Sequence, residues 1–176
     1  DFSGNLFEMR IYLLGFMGVG KSYWGDIWAK ELAISFMDLD RWIEYQTGML
    51  VEDIFKKKSE NYFRIREAEI LRETARENNC IIATGGGAPC FNNNMEWMNR
   101  YGITILLEAS PAYLLNRLRN DDAVRPLLKN LNESEIGYYI EKKLEERMPF
   151  YSQAQFRLSC EGLSKNTLRE LLPIFK

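Results

Sequence analysis

Eight residues early in the chain, Gly15-Phe-Met-Gly-Val-Gly-Lys21-Ser22, have the spacing GxxxxGKS. Each residue type there answers a need of phosphate binding. The glycines let successive backbone N–H groups turn toward phosphate oxygens, the lysine reaches the β and γ phosphates, and the serine hydroxyl holds magnesium. Gly18, Val19, Gly20, Lys21, Ser22 and Tyr23 are the candidate nucleotide contacts. A second constellation, Phe-Met-Asp38-Leu-Asp40, puts two carboxylates at the end of a short apolar run. If the strand persists through both, they face the same way, toward the sheet edge where ligands of open α/β sheets bind. Phosphoryl transfer needs one carboxylate near magnesium and another to orient or deprotonate an acceptor hydroxyl, and this pair could supply both. Capping of the following helix by Asp40 is the alternative use. Glu108, at another strand end, competes for the metal role.

Further along, YFRIREAEI sets Arg64 and Glu67 on neighbouring helical positions, which alone reads as an ordinary surface ion pair. ATGGGAP carries Gly85, Gly86 and Gly87 directly after a strand, where bare backbone permits a ligand's close approach or a tight turn. NDDAVRPLLKN holds Arg125 on an exposed segment that is either a lid or a plain charged loop. Arg147, in EERMPFY, stands at a helix end, where stabilising the helix dipole is the plainer use. Tyr23 and Trp24 are expected to pack the first helical turn against a neighbouring element rather than to hold a base.

Short apolar runs alternating with helical patterns imply βαβ units around a parallel sheet. Strands are expected at Met9 to Leu14, Ile34 to Asp38, Cys80 to Thr84, Ile103 to Glu108 and Phe156 to Cys160. Helices are expected at Lys21 to Leu32, Arg41 to Thr47, Val51 to Lys57, Asn61 to Asn78, Pro111 to Arg119, Glu133 to Met148 and Lys165 to Leu172, with Pro149 ending the penultimate one. Ser110, and Asn132 or Ser134, are the start signals. The 176 residues suit one α/β domain over 9–176, with Met9 a natural start and residues 1–8 a non-native or disordered tail.

Composition narrows the function. A net charge of -2 offers no basic field, so nucleic acid and acidic membrane surfaces are not expected partners. The absence of histidine excludes imidazole chemistry and leaves carboxylates, lysine, arginine and backbone. Cys80, Cys90 and Cys160 are widely spaced, which fits a reducing compartment and gives no zinc framework. No apolar stretch approaches the roughly 20 residues that span a bilayer. A cytoplasmic protein is the expectation.

Taken in order, GxxxxGKS, DLD, FRxxE, GGG, VRPLL and RxPxY resemble the shikimate kinase family from Met9 to about Tyr151. The resemblance implies a three-layer P-loop kinase fold, a five-stranded parallel sheet flanked by helices, with a mobile lid at about 120–131 and shikimate-binding helices at about 41–78. It implies transfer of the ATP γ-phosphate to the 3-hydroxyl of shikimate, toward chorismate and the aromatic amino acids, by a monomer using ATP and magnesium. By matching positions, Arg64 and Arg147 would grip the shikimate carboxylate. Asp40 and the backbone of Gly86 would bind ring hydroxyls, with Asp40 the candidate base. Lys21, Ser22 and Asp38 would serve phosphate and magnesium, the last through water. Arg125 would close from the lid onto ATP, and Arg119 or Arg117 would contact adenine. Two departures stand out: Tyr23 replaces the family's usual small threonine, whose hydroxyl meets the α-phosphate, and the adenine-side loop after Cys160 does not align.

A gluconate kinase-like sugar-acid kinase and a non-catalytic nucleotide-binding switch are the competing readings. Arg64, Gly86 and Arg147 in the shikimate-like order separate the first, and the intact Lys21, Asp38 and Asp40 argue against the second. Lys21→Ala should remove most phosphoryl transfer in a coupled ADP-release assay, because charge stabilisation at the phosphates is lost. Near-normal turnover would take the loop out of the active site.

Overall fold

The computed structural model describes residues 9–120, 128 and 130–174. Five strands, β1 (Arg10–Leu14), β2 (Ser35–Asp38), β3 (Cys80–Ala83), β4 (Ile103–Glu108) and β5 (Phe156–Ser159), form one sheet in the order β2-β3-β1-β4-β5. Every neighbouring pair is parallel. Each strand lies within a residue at either end of its expected span. The described helices are α1 (Lys21–Leu32), α2 (Leu39–Thr47), α3 (Val51–Lys57), α4 (Glu60–Glu73), α5 (Asn94–Tyr101), α6 (Pro111–Arg119), α7 (Glu133–Tyr151) and α8 (Thr167–Leu171). Among the described residues no helix is long and apolar enough to cross a membrane.

Strand alternation sorts the core into two halves. Ile11 and Leu13 of β1 pack with Trp28 of α1, Leu114 and Leu118 of α6, and Ile136 and Ile140 of α7. Tyr12 and Leu14 point the other way, into Leu39 and Ile43 of α2, Ile70 of α4, and Met95 and Met98 of α5. With helices on both faces, the central strands are fully buried, which is why they read as continuous apolar runs. Leu144 touches both halves, so α7 passes from one core to the other and brings Arg147, one turn before its end, beside Gly86 and Phe16 in the loops at the sheet's carboxyl edge.

Four local expectations are corrected. The helix after β2 begins at Leu39, and Asp38 caps it, its Oδ1 accepting from the Arg41 N–H at 3.3 Å. Asp40 therefore sits in a helical first turn, and the two carboxylates do not alternate along one strand. Pro149 lies inside α7, which continues to Tyr151. The Tyr151 ring is buried, its hydroxyl donates to Gly86 O at 2.5 Å, and Ser152 N–H closes on Met148 O at 2.8 Å, so tertiary contacts hold the turn that proline weakens. The long helix expected to Asn78 stops at Glu73 and tightens into a 3-10 turn over Thr74–Arg76, where the Thr74 hydroxyl bonds Tyr12 in the core. Finally, α5 was not anticipated: it lacks a side-chain cap and starts from a left-handed Asn93.

β1 runs into the phosphate loop at Gly15, whose φ is 142° and where an added Cβ would lie 2.6 Å from Leu107 O. Gly15→Ala is expected to destabilise the protein by roughly 1–3 kcal/mol through backbone strain and this clash. Urea denaturation checks it, and a wild-type midpoint would show that the loop entrance can relax.

Candidate active site

Gly20 is the N-cap of α1 and carries no side chain to satisfy the first-turn N–H groups, which are left to meet an anion together with the helix's positive end. The Lys21 ammonium folds back across the loop, donating to Gly15 O at 2.7 Å and Phe16 O at 3.0 Å. Its burial pulls the pKa down to about 8; Asp40 and Asp38 draw it upward and Arg147 pushes it further down. The Ser22 hydroxyl donates to Asp38 Oδ2 in a short hydrogen bond. Two hard oxygen donors at one point suit magnesium. Among the described residues no three His, Cys, Asp or Glu side chains converge, so phosphate oxygens and water would complete its shell. Lys21, Ser22, Asp38, Asp40, Gly86 and Arg117 all face one cleft of about 270 Å³.

Beside the loop, charged side chains from three helices meet over Gly85, Gly86 and Gly87. A Cβ on Gly85 would stand 3.0 Å from both Asp40 Oδ1 and Glu67 Oε1. One on Gly86 would lie 2.9 Å from Arg147 Nη1, and one on Gly87 2.6 Å from Arg64 Nη2. The glycines thus form a floor on which these groups are seated. Arg64 is bonded to Glu67 at 2.8 Å and to Glu60 at 3.2 Å, and it lies 4.3 Å over the Phe91 ring. Arg147 lies 5.1 Å over Phe16 of the phosphate loop. Asp40 Oδ1, Glu67 Oε1 and Arg147 Nη1 are buried with no hydrogen-bond partner among the described residues. Buried polar atoms are nearly always paired, so a cation and two carboxyl oxygens left over in one place mark a pocket for a ligand bearing both an anion and hydroxyls. Burial, with Asp38 adding to it, pushes Asp40 up to about 6 against the pull of Lys21 and Arg64. Burial likewise pushes Glu67 up to about 7, although Arg64 opposes it.

Other expected residues divide. Tyr23 lines the cleft at 63% exposure, so it does not pack against a neighbouring element, whereas Trp24 stacks on Trp28 of its own helix at 5.7 Å and packs against the core. The Val19 side chain is in the core, which leaves only its backbone for phosphate. Gly18 borders the cleft. Arg117 lines the cleft, while Arg119 pairs with Glu133 at 2.9 Å. Glu108 faces a different, mainly apolar cavity and pairs with Arg157 at 3.4 Å. Arg125 and most of the 120–131 segment fall outside the described residues. By spacing alone Glu67 reads as half of a surface ion pair with Arg64, yet it is fully buried. Its helical spacing from Phe63, Ile70 and Leu71, all on the core face of α4, was the available signal.

A phosphate loop leading out of the central strand of this sheet, with a second pocket of buried ionic groups at its side, defines a P-loop kinase of a small molecule. A sequence profile of the shikimate kinase family matches residues 17–173. The shikimate kinase of Bacteroides fragilis is 43% identical over 155 residues, 88% of this chain and 87% of that protein. The crystal structure of shikimate kinase from Bacteroides thetaiotaomicron, 40% identical, superposes with a TM-score of 0.90 over 94% of this chain and 98% of that one. Shikimate kinase from Acinetobacter baumannii, solved in complex with shikimate, is 32% identical with a TM-score of 0.83, covering 96% and 93%. The chain belongs to the shikimate kinase family.

The raised carboxyls make ligand-free stability depend on pH. Glu67 keeps its proton up to about pH 7 when folded but loses it near its ordinary value of 4.5 when unfolded. Between those values the folded state binds more protons, so stability falls as pH rises. Asp40 contributes to the decline below about pH 6 and Glu67 up to about pH 7, while near pH 8 the depressed Lys21 begins to act in the opposite direction. Glu67→Gln should flatten the upper part of the decline, a difference of roughly 1–3 kcal/mol by pH 8 in urea unfolding at stepped pH. An unaltered slope would mean that Glu67 ionises at its ordinary value.

Proposed function

We propose that the protein transfers the γ-phosphate of ATP to the 3-hydroxyl of shikimate. The observation that carries this reading is the buried, unpartnered Arg147 nitrogen standing with the free oxygens of Asp40 and Glu67 directly beside the phosphate loop. Family membership and the shikimate complex of the Acinetobacter baumannii relative support it.

In this reading Arg147 and Arg64 offer planar forks to the shikimate carboxylate, which pairs the free guanidinium nitrogen. Asp40 and the Gly86 backbone take ring hydroxyls. As the 3-hydroxyl oxygen bonds to the γ-phosphorus, its proton passes to an Asp40 carboxylate oxygen, and the bond from the γ-phosphorus to the β–γ bridging oxygen breaks to release ADP. A base titrating near 6 is ionised at neutral pH and still able to hold a proton. Lys21 stabilises charge on the β and γ phosphates, and the amides of Gly18 to Tyr23 cradle them. Ser22 directly, and Asp38 through water, would hold magnesium, which when bound neutralises charge between the phosphates. Arg117, on the cleft, is better placed for adenine than Arg119. Arg125 is assigned to closure over ATP from the 120–131 lid. The enzyme is taken to act as a cytoplasmic monomer, one domain over 9–176 with its acceptor-side helices at about 41–78.

Coupled ADP release with magnesium and ATP should show turnover of about 1–100 per second with shikimate, and none above background with gluconate or without acceptor. Equal rates with gluconate, or none with shikimate, would defeat the assignment. Arg147→Ala should weaken shikimate binding by about 2–5 kcal/mol in calorimetry and leave ATP affinity nearly intact. An unchanged shikimate dissociation constant would return Arg147 to a helix-end role.

A further inference from the structure

Beyond Gly87 the glycine floor continues into a 3-10 turn over Ala88–Cys90 and then Phe91, Asn92 and Asn93, before α5 begins. Asn92 and Asn93 have φ of 51° and 53°, two successive left-handed residues, a conformation that persists only where surrounding contacts impose it. The contacts come from α4. Arg72, in its last turn, donates from Nη1 to Asn94 Oδ1 and from Nη2 to Asn92 O, each at 2.7 Å, and its guanidinium lies 5.0 Å from the Trp97 ring centroid. Asn94 is fully buried and passes the restraint to the floor, its Nδ2 donating to Ala88 O at 2.8 Å. Asn92 Nδ2 donates to Arg64 O at 3.0 Å, and the neighbouring Phe91 supplies the ring beneath the Arg64 guanidinium. One helix therefore carries both Arg64 and Glu67, which face the acceptor pocket, and Arg72, which holds the floor opposite them.

We propose that Arg72, Asn92 and Asn94 are positioning residues, a brace that sets the spacing of α4 from the Gly85–Gly87 floor and so the affinity for the acceptor. None of the three lines the phosphate cleft. The spacing has little tolerance, since Arg64 Nη2 already stands where a Cβ on Gly87 could not fit. Close packing transmits small displacements, and a shift near 1 Å is enough to misplace a carboxylate between two guanidinium forks. Arg72 does with one planar group what lysine cannot, because two fixed donors reach two acceptors on the same loop. The nucleotide loop is built on β1 and α1, so acceptor and nucleotide binding should respond separately.

The inference rests on shikimate being the acceptor, and the test is steady-state kinetics of the full chain with ATP and shikimate, alongside thermal unfolding. Arg72→Lys and Asn94→Ala should raise the KM for shikimate about tenfold, with kcat and the KM for ATP within about twofold of wild type. Asn92→Gly, which keeps the left-handed backbone, should stay closer to wild type in shikimate KM than Asn92→Ala. A fall in Tm with both KM values unmoved, or both KM values moving alike, would overturn the brace. If Arg72→Lys and Asn94→Ala fail to fold, the exposed Asn92 pair decides, and shikimate KM values at the wild-type level for both alanine and glycine would overturn it. Absence of wild-type turnover with shikimate would overturn the functional reading and this inference with it, whereas wild-type turnover with unmoved variants overturns the brace alone.

Discussion

Three consecutive residues without side chains make the rest of the site possible. Asp40, Glu67, Arg64 and Arg147 come from α2, α4 and α7, and each presses a charged atom to within 3.0 Å of where a Cβ on Gly85, Gly86 or Gly87 would stand. Any side chain there would push these groups apart or out into water. Because the floor follows β3, one strand over from β1, it also lies beside the phosphate loop, so the pocket proposed for the acceptor opens next to the cleft proposed for phosphate.

Such packing leaves an electrostatic signature. Lys21 is drawn down to about 8, while Asp40 and Glu67 are driven up to about 6 and 7. In all three, desolvation outweighs the opposite charges close by, so the ligand-free fold is held back from its greatest stability by the groups the chemistry needs. In the proposed reading, a substrate with a carboxylate, hydroxyls and phosphate would supply the partners these atoms lack among the described residues, and binding would be coupled to the stability of the site.

α7 ties the two halves of the site together. It starts at an exposed Asn132 capping box, buries Ile136 and Ile140 in one core, reaches the other through Leu144, and continues past Pro149 to a buried Tyr151 whose hydroxyl bonds the floor at Gly86. Burial pushes that phenol up to about 12, so it remains a donor throughout the neutral range. Arg147 rides on this helix between Phe16 of the phosphate loop and the glycine floor, in contact with both.

The phosphate loop was legible in the sequence because all its parts are contiguous: a short apolar strand, the GxxxxGKS spacing and an amphipathic run can make little else. The strands were legible for a similar reason, since burial on both faces leaves continuous apolar runs, and α6 was marked at its start by Ser110 and Pro111. Where helical phase or long-range contact decides, the sequence was silent. Arg117 and Arg119 are equivalent by composition, and only the docking of Leu114 and Leu118 turns the first toward the cleft and leaves the second to Glu133. Glu67 looks like a surface partner of Arg64 until the floor closes over α4 and removes it from water. Asp38 rather than Asp40 became the cap because the edge strand β2 ended there, and Pro149 failed to end α7 because Tyr151 found a buried seat. The sequence by itself determined a parallel α/β protein with a phosphate-binding loop, since short-range periodicity and spacing suffice for those. The assembly of the proposed acceptor pocket was decided by tertiary structure, because its charges are far apart in the chain and acquire their altered protonation only when folding buries them together.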